Sequence, residues 1–351
     1  YRWPGHEEDA PLTTPGCLEL HDMLARMHKA GVEYAFMEVS SHALDQERVA
    51  GIDFSGALLT NITQDHLDYH QDMDEYYDAK ARLFLTEAEG GVPFDEKKRV
   101  ANSDDALGRR ILELRPGGLG FGLTGMRAAS SRHLAGDIVS MSPQGLRLRM
   151  EYEGKSWDLA SPLVGAFNAM NLLGAQAMCL ELGLCPDDFG ALESFAGVSG
   201  RLERVPNPLG LNVFVDYAHT PDALSKAISA LRDAGFARII TVFGCGGNRD
   251  RSKRPLMGRA VAGLTDVAVL TSDNPRDEDP EAIMADVRPG LAGCPEVFSL
   301  ADRREALARG LALLGKNDAL LVAGKGHERY QLVKGVKTPF SDQDVLRELI
   351  Q

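Results

Sequence analysis

The chain has 351 residues, 44% of them hydrophobic and 25% charged, with a formal net charge of -13. The composition is that of an ordinary globular protein, the length suits two domains, and the negative balance excludes a general binder of nucleic acid or of an anionic membrane surface. The five cysteines are scattered without a C-x-x-C pair, which points to neither a zinc ribbon nor a disulfide framework and fits a reducing cytoplasm, and no run of ~18 apolar residues is there to span a bilayer.

The chain opens on Tyr1-Arg2-Trp3-Pro4-Gly5, without an initiator Met and unlike a signal peptide. It is expected to begin inside a domain. Residues 18–30 carry apolar positions at helical spacing, with Gly31 as a C-cap. Tyr34–Val39 reads as an interior strand, Ser40-Ser41-His42 as a loop, and Ala57–Ile62 as the next strand. Asp74–Thr86 is expected to be helical, Arg99–Asn102 a short strand and Asp105–Leu114 a helix. From Asp137 to Asp158 the pattern alternates, as in an antiparallel hairpin region. Asn168–Leu182 is a strongly apolar helix.

Gly and Pro punctuate Gly197–Pro208, which sets a boundary between domains at residues 1–198 and 199–351. The rhythm then resets: strand Val213–Val215, helix Asp222–Asp233, strand Arg238–Phe243, helix Leu256–Gly263, strand Val267–Leu270, helix Arg303–Leu314 and strand Ala319–Ala323. Such alternation predicts a mostly parallel, doubly wound sheet.

Loops leave four of these strands: Asp216–Pro221, Gly244–Pro255, Asp273–Arg276 and Gly324–Glu328. In a parallel sheet they open on one edge, where such folds bind ligands. Asp273-Asn274-Pro275-Arg276 sets an acid, an amide and a guanidinium there, as a zwitterionic ligand requires. An Asn-Pro turn with solvated charges would read the same way. In the second loop, glycines allow a close backbone approach. Arg249, Arg251, Lys253 and Arg254 precede a helix N-terminus, which favours a phosphate or carboxylate; pairing with nearby acids is the alternative. In the first domain, Glu38 ends one strand and His66 follows the next, a set that suits a hard cation or phosphate-bound Mg²⁺. His66 and His70 also stand at a zinc-pair spacing, and His42 and His66 could equally be polar-core residues.

The ordered segments Glu38–His42, Thr60-Asn61 with Asp65–His70, Gly165–Asn168 with Asn171, Gly200-Arg201, Asp216–Asp222, Gly244–Pro255, Asp273–Arg276 and Gly324–Glu328 together resemble the Mur ligase family in its diaminopimelate-adding type. The resemblance covers essentially the whole chain. It implies an α/β fold: a truncated central ATPase-like α/β domain followed by a C-terminal Rossmann-like doubly wound domain. It implies an ATP-dependent amide ligase that adds meso-2,6-diaminopimelate to UDP-N-acetylmuramoyl-L-alanyl-D-glutamate through an acyl phosphate, in peptidoglycan precursor synthesis. Mg²⁺ and ATP are the implied cofactor and co-substrate. The partners are small molecules rather than nucleic acid or membrane, and the enzyme is expected to be a cytoplasmic monomer.

By matching position, Glu38, His66 and a carbamylated Lys80 would serve Mg²⁺ and catalysis. Thr13, Thr14, Ser40, Gln46 and Arg48 would touch the UDP substrate, and Asn171, Arg201 and Asp216 the nucleotide. Arg249, Asp273, Asn274, Pro275, Arg276, Gly324 and Glu328 would hold the acceptor, with Arg276 on its distal carboxylate. The match departs from the family in three respects: the uridine-binding domain and the Gly-rich ATP loop with its lysine have no counterpart here, and Leu12 stands where the family has Asn. The chain is therefore expected to be a fragment, or else a natural short form, and not to form the amide by itself. The competing readings are a lysine-adding Mur ligase, a folylpolyglutamate synthetase, and a non-catalytic amino-acid or nucleotide binding module.

Overall fold

The computed structural model describes residues 1–8, 10–63, 69–85, 98–123 and 132–351. Two compact units divide it, one of residues 1–137, 149–157 and 170–189, the other of residues 138–148, 158–169 and 190–351.

The first unit starts with a small antiparallel pair, β1 (Arg2–Trp3) and β2 (His6–Glu7). Helix α1 (Cys17–Lys29) buries Leu20 and Met23, and Leu20 packs with Leu44 of α2 (Ser41–Asp45) and with Val49. A parallel ladder β3 (Ala57–Leu59), β4 (Arg99–Asn102), β5 (Leu119–Gly122) follows. Its apolar side chains meet α3 (Met73–Ala81) and α4 (Ala106–Leu114) in one core with Tyr76, Ile111 and Leu112. Asp72 and Asp105 start these helices by accepting backbone N–H groups of the first turn. Strands β6 (His133–Ser142), β7 (Gly145–Tyr152) and β8 (Lys155–Ser161), of which residues 138–148 and 158–161 are counted with the second unit, extend the sheet in the order β3-β4-β5-β6-β7-β8. The apolar helix α5 (Ala166–Glu181) comes next.

The expected strand Tyr34–Val39 is not a strand. The segment carries no ladder among the described residues, and Tyr34 and Phe36 are 64% and 80% exposed. An apolar run becomes a strand only where a neighbour takes up its backbone N–H and C=O groups. Helix α3 also ends earlier than expected, at Ala81, and Thr86 lies outside the described residues.

The second unit holds a six-stranded sheet in the order β13-β12-β11-β14-β10-β9. Its elements are β9 (Glu203–Arg204), β10 (Val213–Asp216), α6 (Pro221–Asp233), β11 (Ile239–Phe243), α7 (Lys253–Ala262), β12 (Val267–Thr271), α8 (Pro280–Val287), β13 (Glu296–Leu300), α9 (Arg303–Ala312), β14 (Ala319–Ala323), the antiparallel hairpin β15 (Tyr330–Val333) and β16 (Val336–Pro339), and α10 (Asp342–Leu349). Every pairing from β10 to β13 is parallel, while β9 runs antiparallel at one edge. Alternate residues of these strands face opposite ways. Phe214, Phe243 and Leu270 pack with α6, α7 and α8, whereas Val215, Val242 and Val269 pack with α9 and α10. Each fully buried Val, Leu or Ile of this kind contributes about 1.5–3 kcal/mol. The sheet is doubly wound, as its alternating elements predict, and the loops after β10, β11, β12 and β14 open on its C-terminal edge.

Candidate functional site

The loop after β12 is largely buried, with Asp273 and Asn274 at 8% and 4% exposure. Burial pushes the Asp273 carboxyl above its ordinary range, and the charges of Arg303 and Lys325 pull against that rise. The Asn274 N–H donates to Asp273 Oδ1 at 2.6 Å. Asn274 Nδ2 donates to Glu328 Oε2 at 2.8 Å, and its Oδ1 accepts from Leu332 N at 2.9 Å. Thus Asn274 and Glu328, from different strand ends, share one hydrogen-bonded cluster. Gly324 starts the loop after β14 at φ +113, and a Cβ there would fall on the Asp273 carboxylate. A Cβ on Gly247 would fall on the Pro275 carbonyl oxygen. Both contacts bring the acidic loop and its neighbours closer than any other residue type allows.

Arg276 holds the left-handed conformation, φ 52, which costs a non-glycine residue about 1–2 kcal/mol. Hairpin β15–β16 imposes it: Arg276 N donates to Leu332 O at 2.9 Å, and Arg276 O accepts from Lys334 N at 2.6 Å. Arg276 Nη1 donates to Gly247 O at 2.9 Å, which sets the guanidinium against the glycine-rich loop after β11. Gln331 Nε2 donates to the Asp273 carbonyl at 2.7 Å.

The basic cluster of the loop after β11 divides in two. Arg254 is buried and forks onto Glu278 at 2.8 and 3.0 Å, with Asp286 at 2.9 Å. Arg251 also donates to Asp286, at 2.9 Å. The Arg254 fork first, then the Asn248 N–H, hold the Glu278 carboxyl down to about 2. These two arginines are occupied by acids about 30 residues further along the chain, so Arg249 and Lys253, both exposed, remain to meet an anion. Arg254 and Arg251 thus follow the alternative reading, pairing with nearby acids.

At the neighbouring strand end, Asp216 accepts from Leu202 N at 2.6 Å and Ala218 N at 2.7 Å. Burial raises its carboxyl, and those bonds with the Arg201 charge draw it back. The Arg201 guanidinium lies 5.0 Å from the Tyr217 ring centroid. Asn171 lies on α5 in the first unit, exposed.

In the first unit the buried Thr14 donates its hydroxyl to Glu38 O at 2.9 Å and accepts from Ser40 N at 3.1 Å. Arg48 Nη1 donates to Thr14 O at 3.0 Å, and Arg48 Nε to Gln46 Oε1 at 3.0 Å. Thr14, Ser40, Gln46 and Arg48 are thereby brought together, and Thr13 is exposed beside them. Ser40 caps α2 through its hydroxyl. Lys80 Nζ donates to Val39 O at 3.3 Å. Burial lowers the Lys80 ammonium's pKa, and the Glu38 charge partly restores it. Glu38 is exposed; His66 lies outside the described residues. Among the described residues no group of three or more His, Cys, Asp or Glu is gathered for a metal.

Sequence reasoning missed Lys325, Arg303, Asp342 and the hairpin that carries Leu332 and Lys334. Signals existed for some of them: Tyr330–Val333 and Val336–Pro339 flank a Lys334-Gly335 turn, and Ser341 three residues before Asp344 marks a helix start. Nothing local marks Lys325 or Arg303, whose partners are distant in sequence.

Family profiles match the chain as Mur ligase middle domain over residues 3–179 and as Mur ligase, glutamate ligase domain over residues 200–326. The UDP-N-acetylmuramoyl-L-alanyl-D-glutamate–2,6-diaminopimelate ligase of Lawsonia intracellularis is 57% identical over 350 residues, which is 100% of this chain and 72% of that protein. The ligase of the same name from Gloeobacter violaceus is 43% identical, over 99% of this chain and 70% of that protein. A solved structure of such a diaminopimelate ligase superposes with a TM-score of 0.66 at 35% identity, covering 96% of this chain and 68% of that one. The folylpolyglutamate synthase of Mycobacterium tuberculosis shares the fold, with a TM-score of 0.55 at 20% identity over 75% of this chain and 60% of that one.

Proposed function

The chain belongs to the Mur ligase family, and from that premise we propose that it is the ATP-dependent ligase that joins meso-2,6-diaminopimelate to UDP-N-acetylmuramoyl-L-alanyl-D-glutamate in peptidoglycan precursor synthesis. It works as a cytoplasmic monomer on small molecules, with its domain boundary at residues 198/199. The substrate carboxylate takes a phosphoryl group from ATP, and the acceptor amine then displaces phosphate to form the amide. The acceptor carries two ammonium groups and two carboxylates, so its site needs both signs of charge. The observation that carries this reading is the strand-end cluster in which Asp273, Glu328 and Arg276 supply both signs at one sheet edge, with Asn274, Pro275 and Gly324 shaping it and Arg249 at its rim.

On the UDP-substrate side, Thr13, Gln46 and Arg48 contact the ligand, and Thr14 and Ser40 hold the Glu38–Ser40 backbone. Asn171, Arg201 and Asp216 serve the nucleotide. Mg²⁺ when bound would neutralise charge on the transferring phosphoryl oxygens. The donor set fits on one condition. Glu38 is an exposed carboxylate within the field of Lys80, and a lysine ammonium there would repel the cation. Carbamylation removes that conflict: the neutral amine nitrogen bonds to the carbon of CO₂, a proton leaves, and an oxygen-bearing anion replaces the cation. Only the neutral amine reacts, and burial of Lys80 increases its share. With His66, Glu38 and carbamylated Lys80 would hold Mg²⁺.

The sign of the pH dependence follows. A lysine whose pKa is lowered in the folded state is deprotonated there at lower pH than exposed lysines, so carbamate should form below the pH they need. In ¹³C-bicarbonate, a carbamate resonance is expected in the protein and not in Lys80→Arg; the same signal in both would remove Lys80 from this role.

The function is tested on the natural full-length protein that carries this sequence, by ADP release and product mass with UDP-N-acetylmuramoyl-L-alanyl-D-glutamate and ATP. meso-Diaminopimelate is expected to outperform L-lysine by about 10- to 150-fold in kcat/KM, because lysine has no second carboxylate to pair with the half-buried Arg276 guanidinium. Equal use of both acceptors would overturn the acceptor assignment.

A further inference from the structure

Lys325 is completely buried, with a side-chain exposure of 0%, whereas its neighbour Glu328 reaches solvent at 20%. An ammonium has three N–H donors. Lys325 Nζ directs them at Asn274 Oδ1 at 3.3 Å, Glu328 Oε2 at 3.1 Å and Tyr330 O at 2.6 Å. All three are thus taken up inside the protein, which leaves none for a bound amino acid. The partners belong to different segments: the loop after β12, the loop after β14, and the first residue of the hairpin.

The geometry points to Lys325 as a positioning residue that fixes which atoms of Asn274 and Glu328 the acceptor meets; this inference rests on the function proposed above. Asn274 Oδ1 accepts from both Lys325 Nζ and Leu332 N. That double donation settles the amide orientation and aims Nδ2 at Glu328 Oε2. Glu328 Oε2 therefore receives two donors, and among the described residues both side-chain bonds of Glu328 fall on that oxygen. Oε1 is left for the acceptor's ammonium. Without the Lys325 charge, Asn274 Oδ1 keeps only the Leu332 N–H and Glu328 Oε2 only the Asn274 amide, so Glu328 can rotate and the acceptor loses a prepared partner rather than a direct contact.

The test is steady-state kinetics of wild type and Lys325→Met in the natural full-length protein that carries this sequence, with KM measured separately for meso-diaminopimelate, ATP and the UDP-muramoyl dipeptide, and a thermal scan to confirm folding. The expected result is a rise of at least ~30-fold in the KM for meso-diaminopimelate, with the other two KM values within ~2-fold. A purely structural lysine would lower kcat with the folded fraction and leave every KM alone, and that outcome overturns the inference. Lys325→Gln keeps two uncharged donors and covers the case in which the methionine variant does not fold. Its KM for meso-diaminopimelate is expected to rise at least ~5-fold, and an unchanged value likewise overturns the inference. Wild type separates the two claims. If it turns over no meso-diaminopimelate, the proposed function falls and takes this inference with it; if it does so and both variants keep its acceptor KM, only the inference falls.

Discussion

Asp342→Ala is expected to lower the unfolding free energy by about 3–5 kcal/mol, measured by urea denaturation. Arg303 and Asp342 both have side-chain exposures of 0% and meet through a two-bonded fork at 2.7 and 2.8 Å. The other guanidinium donors reach Ser272 O at 3.3 Å and Ala323 O at 3.1 Å. Burial disfavours the Arg303 charge, and Asp342 more than restores it, so its pKa stands above the ordinary arginine value. Removing the carboxylate strands a cation in the core, and water cannot reach it. The double variant Arg303→Met/Asp342→Leu removes both charges together and should recover most of the loss. A single-variant change below ~1 kcal/mol would show that water or another acid reaches Arg303 after all. Ser272 and Ala323 immediately precede Asp273 and Gly324, so the same pair fastens helices α9 and α10 to the strand ends that carry the acceptor loops.

Arg276→Ala is expected to cut kcat/KM for meso-diaminopimelate about 10- to 150-fold, the worth of one charge-assisted hydrogen-bonded pair, with the KM for ATP unchanged. The preference over L-lysine should collapse by the same factor, because lysine never engaged the guanidinium. Arg276→Gly separates side chain from backbone. Glycine adopts φ 52 without strain, so this variant should be at least as stable as Arg276→Ala and equally unselective. Unaltered use of meso-diaminopimelate by both variants would remove Arg276 from acceptor recognition.

The C-terminal sheet was legible because its strands contain apolar runs, as in Val267–Leu270 and Ala319–Ala323, with Asp216, Gly244, Asp273 and Gly324 at or just beyond the ends of four of them. Those runs declare buried parallel strands and the edge on which their loops lie. Tyr34–Val39 has the same local character but no ladder among the described residues, and pairing is a property of neighbours that a run cannot declare. Non-local pairing also explains the divided basic cluster: nothing near Arg254 announces Glu278 or Asp286. Asn274 and Glu328 could be read as site residues from their motifs, whereas Lys325, which joins them, looks locally like any lysine between glycines.

Hairpin β15–β16 bears on how acceptor preference could be exchanged between relatives. Its backbone meets Arg276 through Leu332 O and Lys334 N, and Leu332 N meets the Asn274 side chain. The Asp273–Arg276 motif and this hairpin are therefore one inheritable cassette, although more than fifty residues of chain separate them. Grafting the four-residue motif alone into a ligase with a different hairpin would carry over the arginine without the frame that holds it in its left-handed pose.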